Sequence, residues 1–274
     1  MNQYNGYFLI TDLDGTLLNS DKVISAENKE AIQTFVNQGG RFSVATGRSP
    51  ASAGRWLEQL PINYPCVFYN GSMVKDLKSD QVWDCAYLDK SKFQPLVNWV
   101  LEQIPTTVVE IFTQQGLYVI SDPQMKDPYL EGEKDPYFQV EPEVVEELEW
   151  IKILLCDNHA NLVKIEERLK EHHLDKSCNS FYSQDFFFEI TPKDHSKGTA
   201  LRLIREKSEE KALKIIASGD YDNDEEMIVE ADFGVAVGNA QECLKMAADY
   251  IASDNNHYPM ADILREVTKR FLSL

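Results

Sequence analysis

The sequence predicts an α/β protein with a doubly wound parallel sheet and a second, inserted α+β module. Short apolar runs alternate with helical patterns at both ends of the 274-residue chain. Paired strand-like runs separated by turn residues occupy the middle, where they indicate hairpins. Acids, glycines and hydroxyls follow several of the strands, and open α/β sheets bind their ligands at that edge.

The first part of the chain alternates strands and helices. Strands are predicted at Tyr7–Thr11, Phe42–Ala45 and Cys66–Tyr69, and helices at Ser25–Gln38 and from Ser49 to about Leu60. Glycines 39 and 40 end the first helix, and a serine followed by Pro50 is typical of a helix start. This alternation favours a parallel sheet with helices on both faces.

The pattern changes near Lys75, where hairpins replace the alternation. The predicted strands are Val82–Leu88, Thr107–Thr113, Leu117–Ser121, Trp150–Cys156, Ser180–Tyr182 and Phe186–Ile190, with helices at Lys92–Gln103 and Ala160–His172. Antiparallel pairs with interspersed helices are typical of an α+β module. For the acid- and proline-rich stretch Asp122–Trp150 we expect a solvated, irregular excursion, with a lid that touches substrate as the alternative.

The alternation of strands and helices returns after Thr191. Helices are predicted at Lys197–Ser208, Asn223–Glu230, Ala240–Ala248 and Tyr258–Phe271, and strands at Lys214–Ser218, Phe233–Val237 and Tyr250–Ala252. We therefore expect a discontinuous α/β core over residues 1–80 and 191–274. The α+β module is expected to occupy residues 81–190.

Composition excludes several classes of protein. A formal net charge of −18 argues against binding to a nucleic-acid backbone. No apolar run approaches the length that a membrane-spanning helix needs, so no membrane partner is expected. The five scattered cysteines form no C-x-x-C pair and no signal-peptide pattern is present, which predicts a reduced, cytoplasmic setting. A small anionic substrate fits this charge, because a metal ion and a few cations can reverse the potential inside a pocket.

Four polar clusters are expected to meet at one edge of the parallel sheet. They are Asp12-Leu13-Asp14-Gly15-Thr16, Ala45-Thr46-Gly47-Arg48, Ser196-Lys197-Gly198 and Gly219-Asp220-Tyr221-Asp222-Asn223-Asp224. A calcium loop needs glycine at its sixth position and glutamate at its twelfth. The first acidic cluster has Leu17 and Val23 at these positions. The second has Glu225 and Ala231, so neither is a calcium loop, and no P-loop motif occurs.

The interpretation that remains is a magnesium site for phosphoryl transfer. Carboxylate oxygens suit Mg²⁺, which shares a phosphate oxygen with its substrate. Asp12 can attack phosphorus to give an aspartyl phosphate, and Asp14 can protonate the leaving oxygen and then activate water. Thr46 offers a hydroxyl and Lys197 a positive charge to the transferring oxygens.

The four clusters resemble the motifs of the haloacid-dehalogenase superfamily, most of all its Cof-type sugar phosphatases with a large α/β cap. The resemblance covers the whole chain and implies a Rossmann-like core, with residues 81–190 as the cap domain. It implies that Asp12 is the nucleophile and Asp14 the general acid/base. It also implies that Asp12, the Asp14 main-chain carbonyl and Asp220 hold Mg²⁺, while Thr46 and Lys197 bind phosphate.

The same resemblance implies further site residues. Asn223 and Asp224 are expected to support the metal and phosphate positions, and Gly47 and Arg48 to assist Thr46 in binding phosphate or substrate. Two turns also match the family: Tyr69-Asn70-Gly71-Ser72 is similar to N-G-[AS], and Val235-Ala236-Val237-Gly238-Asn239-Ala240 is similar to V-A-M-G-N-A. We expect Asn70 and Gly71 to contact substrate. The stretch from Asp254 to Ala261 departs from the family's N-D-E-D-G-V-A.

The favoured function is a Mg²⁺-dependent phosphatase of small phosphorylated metabolites, such as sugar phosphates. Only a short segment separates Asp14 from Thr46, which disfavours members with an early helical cap, such as β-phosphoglucomutases. One alternative is a phosphomutase of the phosphomannomutase type, although the acidic cap segment lacks an arginine cluster for a second phosphate. The other is a receiver-like, non-catalytic phospho-switch, whose scaffold has no room for the insertion.

Overall fold

The computed structural model describes residues 2–127, 130, 136–208 and 212–272, and it divides into two compact units. One unit combines Met1–Asp84 with Ser196–Leu274, and the other is Cys85–His195. In chain order the elements are β1 (Tyr7–Thr11), α1 (Ala26–Asn37), β2 (Arg41–Val44), α2 (Pro50–Leu57), β3 (Cys66–Phe68), β4 (Met73–Asp76), β5 (Gln81–Cys85), α3 (Lys90–Gln103), β6 (Val108–Phe112), β7 (Leu117–Val119), β8 (Tyr137–Gln139), α4 (Pro142–Glu146), β9 (Lys152–Cys156), α5 (His159–Glu171), β10 (Cys178–Gln184), β11 (Phe187–Pro192), α6 (Lys197–Lys207), β12 (Lys214–Gly219), α7 (Glu225–Glu230), β13 (Phe233–Ala236), α8 (Glu242–Ala247), β14 (Tyr250–Ile251) and α9 (Pro259–Val267).

A five-stranded parallel sheet forms the centre of the first unit, with the strand order β14-β13-β12-β1-β2. Strand β1 pairs with both β12 and β2, so that Thr11 lies beside Ser218 on one side and Val44 on the other. Because these strands are parallel, their carboxyl ends share one edge. The residues that follow β1, β2 and β12 are therefore neighbours in space.

Helices cover this sheet as the sequence predicts. One buried cluster joins Phe8 and Ile10 of β1 to Leu201 and Ile204 of α6 and Met227 of α7. Elsewhere α1 packs against α9, where the Met260 N–H donates to Asn28 Oδ1 over 3.0 Å. The doubly wound α/β class is thereby confirmed. Among the residues that the structure describes, no helix is long and apolar enough to cross a membrane.

The predicted third strand, Cys66–Tyr69, lies outside the five-stranded sheet. β3 belongs to a separate sheet of order β3-β4-β5 and meets the parallel strands through a bridge between Ala45 and Val67. A tight turn reverses the chain after β3, with Tyr69 and Asn70 at φ 52° and 55°. β4, which is not predicted, then pairs antiparallel with β3. A four-residue strand has too few residues to show an alternating pattern in the sequence.

The second unit is an α+β module around a six-stranded sheet of order β10-β11-β9-β6-β7-β8. One face of this sheet packs into a buried core with α3 and α5. That core includes Val109 and Ile111 of β6, Ile153 and Leu155 of β9, Phe188 and Ile190 of β11, and Phe93 and Leu162 of the helices. In β6, β9 and β11, alternate residues point to this core, and the residues between them, on the other face of the sheet, are also buried.

The expectation of an irregular excursion over Asp122–Trp150 is wrong in part. β8 adds to the sheet in parallel with β7, and the rings of Tyr118 and Phe138 lie 5.3 Å apart. α4 follows, with Val145 buried and its carbonyl accepting the Trp150 indole N–H over 2.8 Å. These contacts order a polar stretch through partners distant in sequence. Residues 128–129 and 131–135 of the predicted excursion lie outside the described residues.

Ionisable side chains occupy the other face of this sheet. Glu110 and Glu189 flank Leu154 as cross-strand neighbours, and Lys152 Nζ lies 2.9 Å from Glu189 Oε2. Glu110 is 1% exposed, and among the described residues its Oε1 meets no hydrogen-bond partner. Burial raises the pKa of Glu110 well above its usual range, and the neighbouring Asp127 carboxyl adds to the rise. The folded protein therefore favours the protonated form of Glu110.

Glu110→Gln is expected to stabilise the protein at alkaline pH. An unfolded glutamate ionises above about pH 4.3, whereas folded Glu110 keeps its proton to higher pH, so wild-type stability falls as pH rises across that interval. The glutamine side chain does not ionise, so the variant does not lose stability over this pH interval. We expect similar melting temperatures near pH 5 and a higher one for the variant near pH 8, at about 2–4 °C for each kcal/mol gained. Glu171→Gln, on the exposed side of α5, is the control. Identical pH dependence of Tm in wild type and Glu110→Gln would contradict this account.

Candidate active site

Asp12 leaves the central strand β1 at the edge where the other polar loops converge. Its backbone N–H donates to the Ser218 carbonyl of β12 over 2.8 Å, so the chain is still held in the sheet at this point. Next to it, the Thr11 and Ser218 hydroxyls lie 2.9 Å apart. Asp12 is 5% exposed as a result of this central position.

Lys197 is the buried cation of the site. It is the first residue of α6, whose start is fixed by a reciprocal cap: the Thr199 N–H donates to Ser196 Oγ over 3.1 Å, and the Ser196 N–H to Thr199 Oγ1 over 2.8 Å. Its Nζ donates to Asp12 Oδ1 over 2.6 Å and to Asp224 Oδ1 over 2.7 Å. Lys197 is 1% exposed and Asp224 is fully buried. The lysine therefore bridges two carboxylates from loops far apart in sequence.

Asp220 completes an acidic cluster with Asp12 and Asp224. One carboxylate oxygen of each lies within 4.8 Å of the other two. Thr16 Oγ1 donates to Asp220 Oδ1 over 2.9 Å. Asp224 Oδ2 accepts the N–H of Asp220 over 3.0 Å and that of Tyr221 over 3.2 Å. Asp224 thus organises the loop that presents Asp220 while it holds Lys197.

The charges of this cluster are out of balance, with three carboxylates around one lysine. Burial raises the pKa of Asp12 well above its usual range, and the Asp224 and Asp220 carboxylates add to the rise while Lys197 opposes it. Burial and the Asp224 carboxylate raise the pKa of Asp220 to about 6. Burial alone would lower the pKa of Lys197, but Asp12 and Asp224 outweigh it and raise that pKa. A divalent cation among these oxygens would relieve the repulsion.

The Asp14 side chain makes ion pairs with two basic residues. Arg48 donates from Nε to Asp14 Oδ2 over 2.6 Å and from Nη2 to Oδ1 over 2.9 Å, and Lys22 Nζ donates to Oδ1 over 2.6 Å. The Arg48 guanidinium also lies over the Trp56 ring, 4.6 Å from its centroid. Burial favours the neutral acid, but Arg48 and Lys22 outweigh it and lower the pKa of Asp14 to about 2. Asp14 is therefore a carboxylate at neutral pH.

The turn after β3 supports the loop after β2. The Asn70 N–H donates to the Thr46 carbonyl over 3.1 Å, and Asn223 Nδ2 donates to Asn70 Oδ1 over 2.9 Å. A Cβ on Gly47 would lie 2.9 Å from Asn70 Oδ1, so this glycine allows the close approach. Thr46 is buried, and its Oγ1 accepts the Arg48 N–H over 3.1 Å. Thr46, Gly47, Asn70 and Asn223 thus form one connected group.

The predicted site residues fall into distinct sets in the structure. Asp12, Lys197, Asp220 and Asp224 come together in the acidic cluster. The Asp14 carboxylate and Arg48, both predicted near the phosphate, instead pair with each other. Lys22 is not predicted from the sequence, because a lysine in a polar turn carries no distinguishing pattern. Glu226, whose carboxylate accepts from Ser196 Oγ at the start of α6, is also not predicted.

Comparison with known proteins identifies the family. A family model described as haloacid dehalogenase-like hydrolase matches residues 9–264. The chain belongs to this family. The match confirms the resemblance of the sequence motifs and makes the protein an enzyme of the hydrolase class.

Three of the proteins similar to this hydrolase match it over nearly their full lengths. A Bacillus subtilis protein named 5-amino-6-(5-phospho-D-ribitylamino)uracil phosphatase YcsE is 29% identical over 257 residues, which cover 93% of this chain and 92% of that protein. Phosphatase YwpJ of the same organism is 26% identical over 286 residues, with 93% and 98% coverage. A haloacid dehalogenase-like hydrolase of Bacteroides thetaiotaomicron has a crystal structure that matches with a TM-score of 0.85 at 27% identity, with 96% and 99% coverage.

Gly71→Ala is expected to damage both the stability and the activity of this hydrolase. Gly71 has φ +104°, and a Cβ there would lie 2.0 Å from the Ser196 carbonyl oxygen, next to Lys197. The clash must displace the start of α6 and with it the lysine. We expect a loss of about 1–3 kcal/mol in the free energy of unfolding. We also expect kcat to fall at least about tenfold, because the bridging cation moves.

Gly54→Ala in α2 is the matched control for Gly71→Ala. A Cβ at Gly54 meets no described atom within 4 Å, so this change should be neutral or stabilise by about 0.5–1 kcal/mol. Urea unfolding and steady-state kinetics measure both effects. A Gly71→Ala protein as stable and active as Gly54→Ala would contradict the predicted clash with the Ser196 carbonyl oxygen.

Proposed function

We propose that this hydrolase is a Mg²⁺-dependent phosphatase that cleaves small phosphomonoesters through an aspartyl phosphate on Asp12. The observation that carries the proposal is the buried Lys197 bridge between Asp12 and Asp224, with Asp220 beside them. Such a cluster of carboxylates and one cation at the carboxyl edge of a parallel sheet is suited to bind a phosphoryl group and a hard metal ion.

The donor set fits Mg²⁺. Asp12, Asp220 and the Asp14 main-chain carbonyl are the proposed ligands, with Asp224 in support, and oxygen ligands of this kind are the ones Mg²⁺ prefers. The raised pKa values of Asp12 and Asp220 are consistent with this fit, since they arise from burial and, to a smaller extent, from the neighbouring carboxylates. When bound, Mg²⁺ would neutralise these carboxylates and polarise the phosphoryl oxygens.

Asp12 is the proposed nucleophile. Lys197 holds Oδ1 at 2.6 Å, which fixes the rotation of the carboxylate and directs Oδ2 to attack phosphorus. The attack forms the Asp12–phosphorus bond and breaks the ester bond to the leaving oxygen. Water then attacks the same phosphorus, releases phosphate and regenerates the carboxylate. Thr46 and Lys197 donate to the phosphoryl oxygens in both steps and stabilise the charge that develops there.

Asp14 is the proposed proton shuttle. As a carboxylate it is ready to take the proton of the attacking water. For the first step it must deliver a proton to the leaving oxygen, and its pKa of about 2 opposes this while Arg48 and Lys22 hold both of its oxygens. The role therefore requires Arg48 to release Oδ2 when substrate binds, while Lys22 holds only Oδ1 and keeps the carboxylate oriented. Arg48, once released, lies beside Thr46 and is proposed to assist in binding the substrate. The other proposed substrate-binding residues are Gly47, Asn70, Gly71 and Asn223.

Small phosphorylated metabolites, sugar phosphates among them, are the proposed substrate class. The relative named 5-amino-6-(5-phospho-D-ribitylamino)uracil phosphatase, at 29% identity over nearly the whole chain, supports a phosphomonoester of metabolite size. The net charge of −18 supports a small substrate rather than a phosphorylated polymer, which the surface would repel. A panel of phosphorylated metabolites ranked by kcat/KM tests this assignment.

Removal of Mg²⁺ is expected to abolish hydrolysis. With p-nitrophenyl phosphate and the metabolite panel, EDTA should stop phosphate release and added Mg²⁺ should restore it. Because protons compete with the metal at Asp12 and Asp220, the apparent Kd for Mg²⁺ should rise as pH falls below about 6. Hydrolysis at the full rate in excess EDTA, or a Kd for Mg²⁺ that does not change with pH, would contradict the proposal.

A further inference from the structure

Three asparagines hold the loop that follows Asp14. Asn239 Nδ2 donates to the Gly15 carbonyl over 2.8 Å, and its Oδ1 accepts the Asn255 N–H over 2.9 Å. Asn255 Nδ2 donates to the Leu18 carbonyl over 3.0 Å. Asn256 forms a reciprocal pair with Ser20: its Oδ1 accepts the Ser20 N–H over 3.1 Å, and its Nδ2 donates to Ser20 Oγ over 3.1 Å. We call Asn239, Asn255 and Asn256 the asparagine clamp.

The clamped loop is a compact turn with Lys22 at its tip. Asn19 Oδ1 accepts the N–H groups of Asp21 over 3.1 Å and Val23 over 2.9 Å, and the Lys22 N–H donates to the Asn19 carbonyl over 2.9 Å. Lys22 itself has φ 58°, in the left-handed region. These bonds fix the shape of the turn. Its position on the protein is set by what it contacts, which includes the clamp.

The position of the turn determines whether Lys22 reaches Asp14. Lys22 Nζ donates to Asp14 Oδ1 over 2.6 Å, while Arg48 holds the same carboxylate through two nitrogens. The Trp56 indole N–H, from α2, donates to the Lys22 carbonyl over 2.8 Å. Residues Ser20 to Val23 are exposed, so hydrogen bonds rather than buried apolar area hold this turn in place.

We propose that the asparagine clamp is a positioning device for the proton shuttle: it keeps Lys22 on Asp14 and thereby fixes the orientation of that carboxylate. The proposal rests on the proposed function. Asn255 and Asn256 are therefore positioning residues that act through Lys22 and touch no substrate. A clamp that served stability alone would give losses of activity independent of Lys22.

A double-mutant cycle tests this coupling. The variants are Asn255→Ala/Asn256→Ala, Lys22→Met and the triple combination. We expect each of the first two to lower kcat about tenfold with KM changed less than about twofold, because Thr46 and Lys197, which bind the phosphate, are untouched. The triple variant should be no slower than Lys22→Met, and Lys22→Arg should recover part of the rate. Asn37→Ala and Lys29→Met, on the surface of α1, are matched controls that leave kcat unchanged.

Hydrogen exchange provides a readout that does not depend on activity. The Lys22 and Val23 amides bond to Asn19 and not to the clamp, so faster exchange there in Asn255→Ala/Asn256→Ala, at unchanged Tm, shows that the clamp holds the whole turn. Unchanged exchange overturns the proposal. A triple variant whose loss of kcat equals the product of the separate losses also overturns it. So does a fall in kcat that is fully explained by a lower Tm, because part of the protein is then unfolded in the assay. A wild-type protein that hydrolyses no phosphomonoester overturns the proposed function, and the exchange result then still decides whether the clamp positions the turn.

Discussion

Replacing Asp12 with asparagine is expected to lower kcat by at least about 10⁴-fold, or roughly 5 kcal/mol in activation free energy. The amide has nearly the same size as the carboxylate but no longer supplies the attacking oxygen. The fold should persist, because a neutral group at position 12 removes one of three crowded carboxylates, and Lys197 keeps Asp224 as a partner. Steady-state hydrolysis and thermal unfolding of the same samples separate chemistry from stability.

Two further variants make the Asp12→Asn result interpretable. Asp12→Ala excludes activity that arises from deamidation of the new asparagine. Asp185→Asn changes an exposed aspartate in the turn between β10 and β11, and should keep the wild-type rate. Retention of more than about 1% of wild-type kcat by Asp12→Ala would contradict a nucleophilic role, since loss of a covalent nucleophile costs far more than a hundredfold.

Lys197→Met is expected to reduce both activity and stability. The methionine keeps most of the aliphatic stem, but it leaves the Asp12 and Asp224 carboxylates buried without their cation. Removing one partner of a buried ion pair costs about 3–5 kcal/mol in the free energy of unfolding. We expect a loss of that size near pH 8 and a fall in kcat of at least about 10³-fold, because the phosphoryl oxygens also lose a charge.

The loss of stability in Lys197→Met should depend on pH and on Mg²⁺. Without the lysine, protonation of Asp12 relieves the repulsion, so the difference from wild type should shrink as pH falls. Added Mg²⁺ should restore part of the lost stability by supplying the missing positive charge. Lys29→Met, which removes a half-buried lysine whose Nζ donates to Gln59 Oε1, serves as the control. Equal unfolding free energies for Lys197→Met and the wild type near pH 8 would contradict the buried bridge.

The parts of the fold that follow from local patterns are predictable from the sequence. The apolar run of β1 is buried on both faces, and Ser49 and Ser196 cap α2 and α6 as their sequence contexts indicate. The four polar clusters lie where parallel strands must bring them, since strand direction alone decides which ends share an edge. For this reason the sequence alone predicts that Asp12, Lys197 and Asp220 lie close together.

The parts that depend on partners distant in sequence are not predictable in this way. β8 forms because Tyr118 and Phe138 lie together, and no local alternation marks its three residues. β3 leaves the parallel sheet because the turn at Tyr69 and Asn70 sends the chain back to β4. In the site, the pairing of Asp14 with Arg48 and Lys22 depends on the conformation of long side chains, which residue spacing does not determine.

Detection of a phosphorylated Asp12 is the most direct test of the proposed mechanism. Enzyme mixed with Mg²⁺ and a ³²P-labelled phosphomonoester is quenched in acid within one turnover, then reduced with borohydride, which converts an aspartyl phosphate to homoserine. Mass spectrometry of the peptide that contains Asp12 should show homoserine at that position, and hydroxylamine should release the label. The Asp12→Asn protein should carry no label. Continued turnover with no acid-stable label at any quench time, or with the label on another residue, would contradict the account.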